Sequence, residues 1–329
     1  MRKAILLYNP LSGRRRKHRV ADIEAACSVL RVAGVEADPT ATHSGPRASE
    51  QACEAIAAGC DTVYACGGDG TIHDVLQGMV SGSASLGIIP LGTANSLAHD
   101  LRIPQDAASA ARAALAARPR RIALGKLRYL DFAGNQSSRY FIVAAGVGVD
   151  AHLFYKLNLM LKGRLGMTAY YAKAAHLWLT HRMERFLAEF LETGENEPRR
   201  AIVSQLLAVR IRNFGGVLQE LAPGASLERN DLRLVLFRTT NRLSYLLYIL
   251  RGLLREKWSV GGIDVLHGEK VECQCLPATL PSNGSTEVNR RILVEADGEL
   301  LQQYVMEVYD VCKNAGYNKI FFVPPPVAR

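Results

Sequence analysis

The turn Gly67-Gly68-Asp69-Gly70-Thr71 constrains this chain more than any other stretch. It follows the apolar run 62–66 and precedes a helical pattern, so it lies where a strand turns into a helix. Glycines let backbone amides approach a polyphosphate, and the N-terminus of the following helix favours an anion. The carboxylate of Asp69 suits work on a metal ion or a hydroxyl group. By itself, the turn also fits a plain tight connection.

Two more polar turns follow apolar runs. Asn9-Pro10-Leu11-Ser12-Gly13 comes after residues 4–8, and a turn with Gly92, Thr93 and Asn95 comes after residues 86–89. Taken separately, they also fit an N-terminal loop with a basic face and a helix cap. In a parallel α/β sheet such turns gather at the carboxyl edge, where ligands bind. The three turns together therefore predict one binding site.

The chain changes its pattern near residue 122. Before it, apolar runs alternate with helical patterns, which predicts a parallel sheet between helices. The predicted strands are 4–8, 35–41, 62–66 and 86–89, and the predicted helices are 18–33, 47–58, 71–80, 94–101 and 105–117. After it, strands are predicted at 121–127, 140–145, 206–212, 232–237, 270–274 and 292–295. We therefore expect an α/β domain at 1–122 and a mostly antiparallel β-rich domain at 123–312.

In order and spacing, residues 9–13, 67–71 and 92–95 resemble the nucleotide-site motifs of the diacylglycerol kinase catalytic-domain superfamily, lipid kinases that include the sphingosine and ceramide kinases. Asp297-Gly298-Glu299 resembles the catalytic motif of this family. The resemblance spans nearly the whole chain. It implies transfer of the γ-phosphoryl group of ATP, with Mg²⁺, to a lipid hydroxyl such as that of diacylglycerol or a sphingoid base. It also implies that the tail 313–329 packs back on the first domain.

The resemblance also assigns roles to the site residues. Asp297 is the implied general base with Glu299 assisting, and Asp69 holds the Mg²⁺ of MgATP or orients the hydroxyl. Asn95 is expected to brace the site. The residues expected to line the nucleotide are Asn9, Pro10, Ser12, Gly13, Thr42, Gly67, Gly68, Asp69, Gly70, Thr71 and Thr93. From the local sequence alone, Asp297-Gly298 also fits a hairpin turn.

The chain departs from the family pattern at two places. Ser96 stands where bacterial members usually carry Asp, and Glu228-Arg229-Asn230 stands where Asp-Asp-Gly is usual. In bacterial diacylglycerol kinases these acidic positions belong to a network around a structural Mg²⁺. A guanidinium offers no lone pair to a metal. We therefore expect that Arg229 pairs with a nearby carboxylate instead, and Asp231 is left as a shifted candidate metal ligand.

Composition sets limits on the class of protein. The chain has 329 residues, of which 48% are hydrophobic, and no apolar run reaches the ~18 residues that span a bilayer. The apolar stretch after Met1-Arg2-Lys3 is too short for a signal peptide. Seven cysteines, an odd number, fit reduced thiols. We expect a cytoplasmic protein that associates peripherally with the membrane.

The net charge of +9 predicts anionic partners. Nucleic acid is not favoured, because aromatic residues make up 7% and are not interleaved with basic runs. ATP and an anionic membrane fit better. Residues 155–190 and 243–258 are predicted as basic amphipathic helices that meet the membrane, although both also fit ordinary surface helices. A homodimer is left open.

Two other functions also fit parts of the sequence. A kinase of a soluble nucleotide is one, because NAD kinases share the Gly-Gly-Asp-Gly turn, although no second Asn-rich dinucleotide motif is found. A catalytically silent lipid-binding relative is the other. The presence of Asp69, Asp297 and Glu299 disfavours the silent relative.

Overall fold

The fold comes from a computed structural model that describes residues 1–10, 18–131, 135–148, 179–180, 183–215, 220–254, 256, 258–276, 294–297, 299–301, 306–310 and 321–322. Ser12 and Gly13 of the expected nucleotide site lie outside these residues. So do Gly298 and most of the predicted basic helix 155–190.

The N-terminal part is an α/β unit, as predicted. Its elements are β1 (Lys3–Tyr8), α1 (Arg19–Val32), β2 (Glu36–Ala41), α2 (Gly45–Ala57), β3 (Thr62–Gly67), α3 (Asp69–Met79), β4 (Ser85–Pro90), α4 (Ser96–Asp100) and α5 (Ala107–Ala116). Every residue of β3 is buried, because parallel strands between two helical layers are covered on both faces. Side chains cap two of the helices: Ser44 accepts from the N–H of Arg47, and Asp106 accepts from that of Ser109.

The first sheet has the strand order β2-β1-β3-β4-β17-β5, where β5 is Arg120–Arg121 and β17 is Phe321–Phe322. Strands β1 to β4 pair in parallel, and β17 adds to β4 in parallel. Because β1 lies between β2 and β3, the chain moves outward in opposite directions from it. The carboxyl ends of β1 and β3 therefore border the crevice in which α/β sheets of this kind bind ligands.

The second part is an antiparallel sheet. Its elements are β6 (Gly125–Leu130), β7 (Gln136–Phe141), β8 (Ala144–Gly148), β9 (Phe186–Glu192), β10 (Arg199–Val203), β11 (Gln205–Val209), β12 (Leu232–Phe237), α6 (Arg242–Leu254), β13 (Ile263–Cys275), β14 (Val294–Ala296), β15 (Glu299–Leu301) and β16 (Met306–Asp310). Strands β8, β11, β12 and β13 pair successively, and β14 pairs with β8. This confirms the predicted class of fold. The domain limits at 122 and 312 stay predictions.

Several predicted elements were wrong in extent. Residues 186–190 form strand β9 rather than the end of a basic helix, because Phe186, Ala188 and Phe190 alternate inward with the period of a strand. The strand predicted at 121–127 is divided between β5 and β6. Strand β13 is much longer than the predicted 270–274, and β10 was not predicted at all.

Hydrogen bonds between α3, α4 and the second sheet fix the two parts against each other. The Gln77 side chain donates to the carbonyl of Tyr140 at 2.8 Å and accepts from its N–H at 2.9 Å. Asp100 accepts from the backbone N–H groups of Arg212 and Asn213 at 3.0 and 2.8 Å. The face of α3 that carries Gln77 therefore lies against β7 of the second sheet. Within the described ranges, no helix is long and apolar enough to cross a membrane.

Candidate active site

The turn after β3 and the turn after β4 touch through two glycines. A Cβ placed on Gly92 would lie 2.3 Å from the Cα of Gly68. No side chain fits at that distance, so glycine at position 92 is required by packing. The two backbones thus form one surface at the carboxyl edge of the sheet, as the three-turn pattern predicts.

The turn after β3 leads directly into α3, whose N-cap is Gly68. A Cβ on Gly67 would lie 2.3 Å from Oγ1 of Thr71, whereas a Cβ on Gly70 would meet no atom within 4 Å. Gly70 therefore faces open space. The first amides of a helix have no partner within the helix and carry its positive end. This opening is suited to a phosphate group.

The carboxylate of Asp69 joins α3 to α4. Its Oδ2 accepts from the N–H of Ser96 at 3.0 Å, and its Oδ1 accepts from the N–H of Leu97 at 3.1 Å. The pKa of Asp69 is raised above its usual value, mainly because the side chain is buried. The two hydrogen bonds lower this pKa and the charge of Asp297 raises it, but burial has the larger effect. Asp69 is thus a partly desolvated carboxyl group close to a second carboxylate.

Asn95 and Thr93 have different surroundings in the turn after β4. Asn95 is buried in the left-handed conformation with φ 51°, and its Oδ1 accepts from the N–H of Gly92 at 2.9 Å. Its amide also donates to Oε1 of Gln105 at 2.9 Å. Thr93 is exposed. Both residues line a cavity of about 320 Å³ between α1, this turn and the start of α5.

The carboxylate of Asp297 is enclosed by donors. Its Oδ2 accepts from the N–H of Ile142 at 2.8 Å, and its Oδ1 accepts from the N–H groups of Val143 and Ala144 at 2.8 and 3.0 Å. The residue is 3% exposed and has φ 51°. Asp297 N–H donates in turn to the carbonyl of Ala144 at 2.9 Å. The backbone between β7 and the first residue of β8 therefore supplies three hydrogen-bond donors to this carboxylate.

His73 is a site residue that sequence reasoning missed. Its Nδ1 lies 3.4 Å from Oδ2 of Asp297, and its side chain is fully buried. Because residues four apart share one face of a helix, Asp69, His73 and Gln77 form one polar stripe on α3. That spacing was visible in the sequence and could have identified His73. Three backbone N–H groups and Nδ1 of His73 therefore surround the Asp297 carboxylate.

The other predicted nucleotide residues are spread along the same edge. Asn9 and Pro10 follow β1 and are half-buried. Thr42 follows β2; it is buried, its N–H donates to the carbonyl of Tyr8 at 2.8 Å, and its hydroxyl donates to the carbonyl of Ser44 at 3.2 Å. Glu299 begins β15, two positions after Asp297. The structure brings Asn9 and Pro10 to the same edge as the turns after β3 and β4, with Asp297 across from Asp69.

Asp231, the other candidate metal ligand, is paired with cationic groups. Arg229 Nε donates to its Oδ1 at 2.7 Å, a second guanidinium nitrogen donates to Oδ2 at 2.5 Å, and the Thr193 hydroxyl donates to Oδ2 at 3.0 Å. His267 Nδ1 lies 3.2 Å from Oδ1. Partial burial raises the pKa of Asp231, but the hydrogen bonds from Arg229 and Thr193 outweigh it, so the net pKa is lowered. Arg229 thus pairs with a carboxylate that was among its expected partners.

The described residues contain no group of three or more His, Cys, Asp and Glu side chains arranged to hold a metal. Asp231 therefore stays a metal ligand by sequence prediction only, and its two oxygens are engaged by Arg229, Thr193 and His267.

Comparisons with known proteins agree with the arrangement of the turns. Residues 3–127 match the diacylglycerol kinase catalytic domain. A diacylglycerol kinase of Bacillus subtilis is 29% identical over 307 residues, which cover 91% of this chain and 90% of that protein. Together these matches support the resemblance of the chain to the diacylglycerol kinase catalytic-domain superfamily.

Two further comparisons agree with this resemblance. A diacylglycerol kinase of Staphylococcus saprophyticus is 33% identical over 175 residues, about half of each chain. The crystal structure of a diacylglycerol kinase from Bacillus anthracis superposes over 98% of this chain and 97% of that one, with a TM-score of 0.67 at 16% identity. At that identity the superposition shows the fold. The sequence relatives point to an enzyme of the kinase class.

Proposed function

We propose that the protein is an ATP-dependent lipid kinase that transfers the γ-phosphoryl group of ATP to the hydroxyl of a lipid such as diacylglycerol or a sphingoid base. The observation that carries this proposal is the backbone surface made by Gly68 and Gly92 at the N-terminus of α3, with two carboxylates beside it. Phosphoryl transfer requires positioning and charge neutralisation more than covalent chemistry.

The residues present fit MgATP. Gly70 faces open space at the positive end of α3, which suits a phosphate group. Gly67, Gly68, Thr71 and Gly92 would hold the phosphates, and the partly desolvated Asp69 would hold the ion or orient the acceptor hydroxyl. When bound, Mg²⁺ neutralises charge on the transferred phosphoryl group.

Asp297 and Asp69 are the two candidate proton acceptors of the site. Asp297 accepts from the three N–H groups of residues 142–144, and these backbone donors fix the position of its carboxylate. His73 contacts the same carboxylate from α3, with Nδ1 3.4 Å from Oδ2 and a fully buried ring, so it helps to set the orientation of the carboxylate. We therefore assign His73 as a positioning residue for Asp297, and Asp69 as the alternative proton acceptor.

The names of the relatives support a lipid acceptor. The B. subtilis and S. saprophyticus proteins bear the name diacylglycerol kinase. A soluble nucleotide acceptor would require a second nucleotide subsite. The proposal is tested by incubating the protein with ATP labelled at the γ-position and a total lipid extract, then identifying the labelled lipid. Failure to label any lipid, in the presence of Mg²⁺ and vesicles, contradicts the proposal.

A further inference from the structure

The outward face of α6 is apolar although it faces solvent. Leu243, Leu246, Leu250 and Leu254 are 59%, 49%, 43% and 56% exposed. Their spacing of three or four residues places them in one stripe along the helix. The same stripe continues through Leu247 and Leu253, which are also exposed. A surface helix ordinarily carries polar side chains on this face, so the pattern of α6 is inverted.

Contacts on the opposite face fix this orientation. Tyr245 and Tyr248 are buried against Phe237, with ring centroids 4.4 and 5.2 Å away. The Tyr248 hydroxyl donates to the carbonyl of Leu221 at 2.6 Å, and the Tyr245 hydroxyl lies 2.7 Å from Oγ of Ser204. Because these contacts hold the tyrosines inward, α6 cannot rotate to bury its leucines without losing them.

The size of the exposed patch needs an explanation. Single exposed leucines are normal, but contiguous apolar patches on soluble proteins mark interaction sites. Six leucines of one helix share this face, and Trp258 beyond the helix end is 40% exposed. A contiguous apolar face of this kind is typical of an interaction site.

The charge around the patch indicates which partner. The helix Arg242–Leu254 contains no Asp or Glu. Arg242 begins it. Arg255 and Lys257, which lie outside the described residues, follow it in the sequence on either side of Glu256. Basic residues at both ends, leucines between them and a tryptophan at one end are the composition of helices that lie in a membrane interface.

We propose that the leucine face of α6 docks on the surface of an anionic lipid bilayer. The leucines enter the boundary of the acyl chains, the basic ends contact anionic headgroups, and Trp258 lies at headgroup level. A second copy of the chain fits less well. In a two-fold contact through antiparallel α6 helices, the basic ends of the two copies would meet and repel each other. This proposal does not depend on the lipid-kinase assignment.

Vesicle binding tests the proposal without measuring kinase activity. The full chain is sedimented with vesicles of phosphatidylcholine alone and with vesicles that also contain phosphatidylglycerol. We expect binding to increase with the anionic lipid and to weaken, without vanishing, at 1 M salt, where the Debye length is about 3 Å. The double variant Leu246→Gln with Leu250→Gln should bind at least about tenfold more weakly, because it removes apolar area from the bilayer.

A matched control removes exposed apolar groups elsewhere. Val20 and Ile202 are 72% and 49% exposed and lie on α1 and β10. The double variant Val20→Gln with Ile202→Gln should bind vesicles as the unaltered protein does. In a Trp178→Phe background, Trp258 is the remaining tryptophan of the two in the chain, and its emission should shift to shorter wavelength on vesicle binding.

Three outcomes would overturn the proposal. Equal vesicle binding by the α6 variant and the unaltered protein removes α6 from membrane contact. A dimer in analytical ultracentrifugation that the α6 variant dissociates, with no vesicle binding, assigns the face to a second copy. A large fall in melting temperature of the α6 variant relative to the control variant shows that another segment of the chain covers the leucines.

Discussion

The Nδ1 atom of His73 lies 3.4 Å from Oδ2 of Asp297, and neither side chain is accessible to solvent. This contact joins α3 of the first sheet to the residue that follows β14 of the second. It is therefore both a link between the two parts of the protein and a contact within the candidate active site.

Replacement of His73 tests its role as a positioning residue. His73→Ala removes a donor to a carboxylate, an interaction worth about 1.5 to 3 kcal/mol, and should lower kcat roughly tenfold or more. The KM for ATP should change little, because the glycine turns are untouched. His73→Gln keeps a donor and should recover part of kcat. Equal loss in both variants, or a rise in the KM for ATP without a fall in kcat, would argue against positioning.

Replacement of Asp297 should affect the rate and the stability together. Asp297→Asn turns an N–H group towards a backbone donor, so the free energy of unfolding should fall by about 1 to 3 kcal/mol. The rate should fall by at least ~10² if the carboxylate also accepts the proton. Asp100→Asn is the matched control, because Asp100 accepts two N–H groups of the segment that follows β11, outside the glycine turns. A stability loss without a rate loss in Asp297→Asn would make Asp297 a structural residue and Asp69 the proton acceptor.

Substitutions of Gly92 and Gly70 distinguish a role in packing from a role in nucleotide binding. Gly92→Ala places a Cβ 2.3 Å from the Cα of Gly68 and should destabilise the fold by about 1 to 3 kcal/mol. Gly70→Ala meets no protein atom within 4 Å, so its melting temperature should stay the same or rise. Its affinity for ATP should nevertheless fall at least about tenfold, as measured with a fluorescent ATP analogue. Unchanged ATP binding by Gly70→Ala would show that the phosphates lie elsewhere.

The Arg229–Asp231 pair predicts a pH dependence of stability. The folded state lowers the pKa of Asp231 below its ordinary value of 3.8. The ionised carboxylate therefore stabilises the protein at pH values above 3.8, and this stabilisation is lost as the pH falls through the lowered pKa of the folded state. Asp231→Asn should therefore melt well below the unaltered protein at pH 7, with a difference that shrinks under acid conditions. Glu228→Gln, which alters an exposed pair with Arg120, should change stability by at most ~1 kcal/mol. A difference that grows as the pH falls would contradict this account.

The sequence predicted strands β1 to β4 of the first sheet nearly to the residue, because they are short apolar runs separated by polar turns. It did not predict that β5 and β17 belong to this sheet. The second sheet was harder to predict. Strand β9 was interpreted as a helix, because Phe186, Ala188 and Phe190 continue a segment rich in leucine and arginine, and the period of two becomes visible only in their pairing with β13. Propensity cannot reveal such a long-range pairing.

The site was predictable where backbone chemistry is local. The glycine-rich turns at Gly67 and Gly92 can be recognised in the sequence, but the packing of Gly92 on Gly68 cannot. The donors to Asp297 come from residues 142–144, more than 150 positions away, through backbone N–H groups whose position no residue type encodes. The sequence predicted residues 243–258 as a basic amphipathic helix, but it did not show which side of α6 is buried.

The central claim is that phosphate passes from ATP to a lipid hydroxyl at the glycine turns beside Asp69. The most direct test offers the protein γ-labelled ATP with Mg²⁺ and a mixture of diacylglycerol, sphingosine and ceramide in anionic vesicles together with NAD in solution. The account predicts label in a lipid product and none in NADP, with the lipid label abolished in Asp69→Asn. Label in NADP, or lipid label that persists in Asp69→Asn, would contradict it.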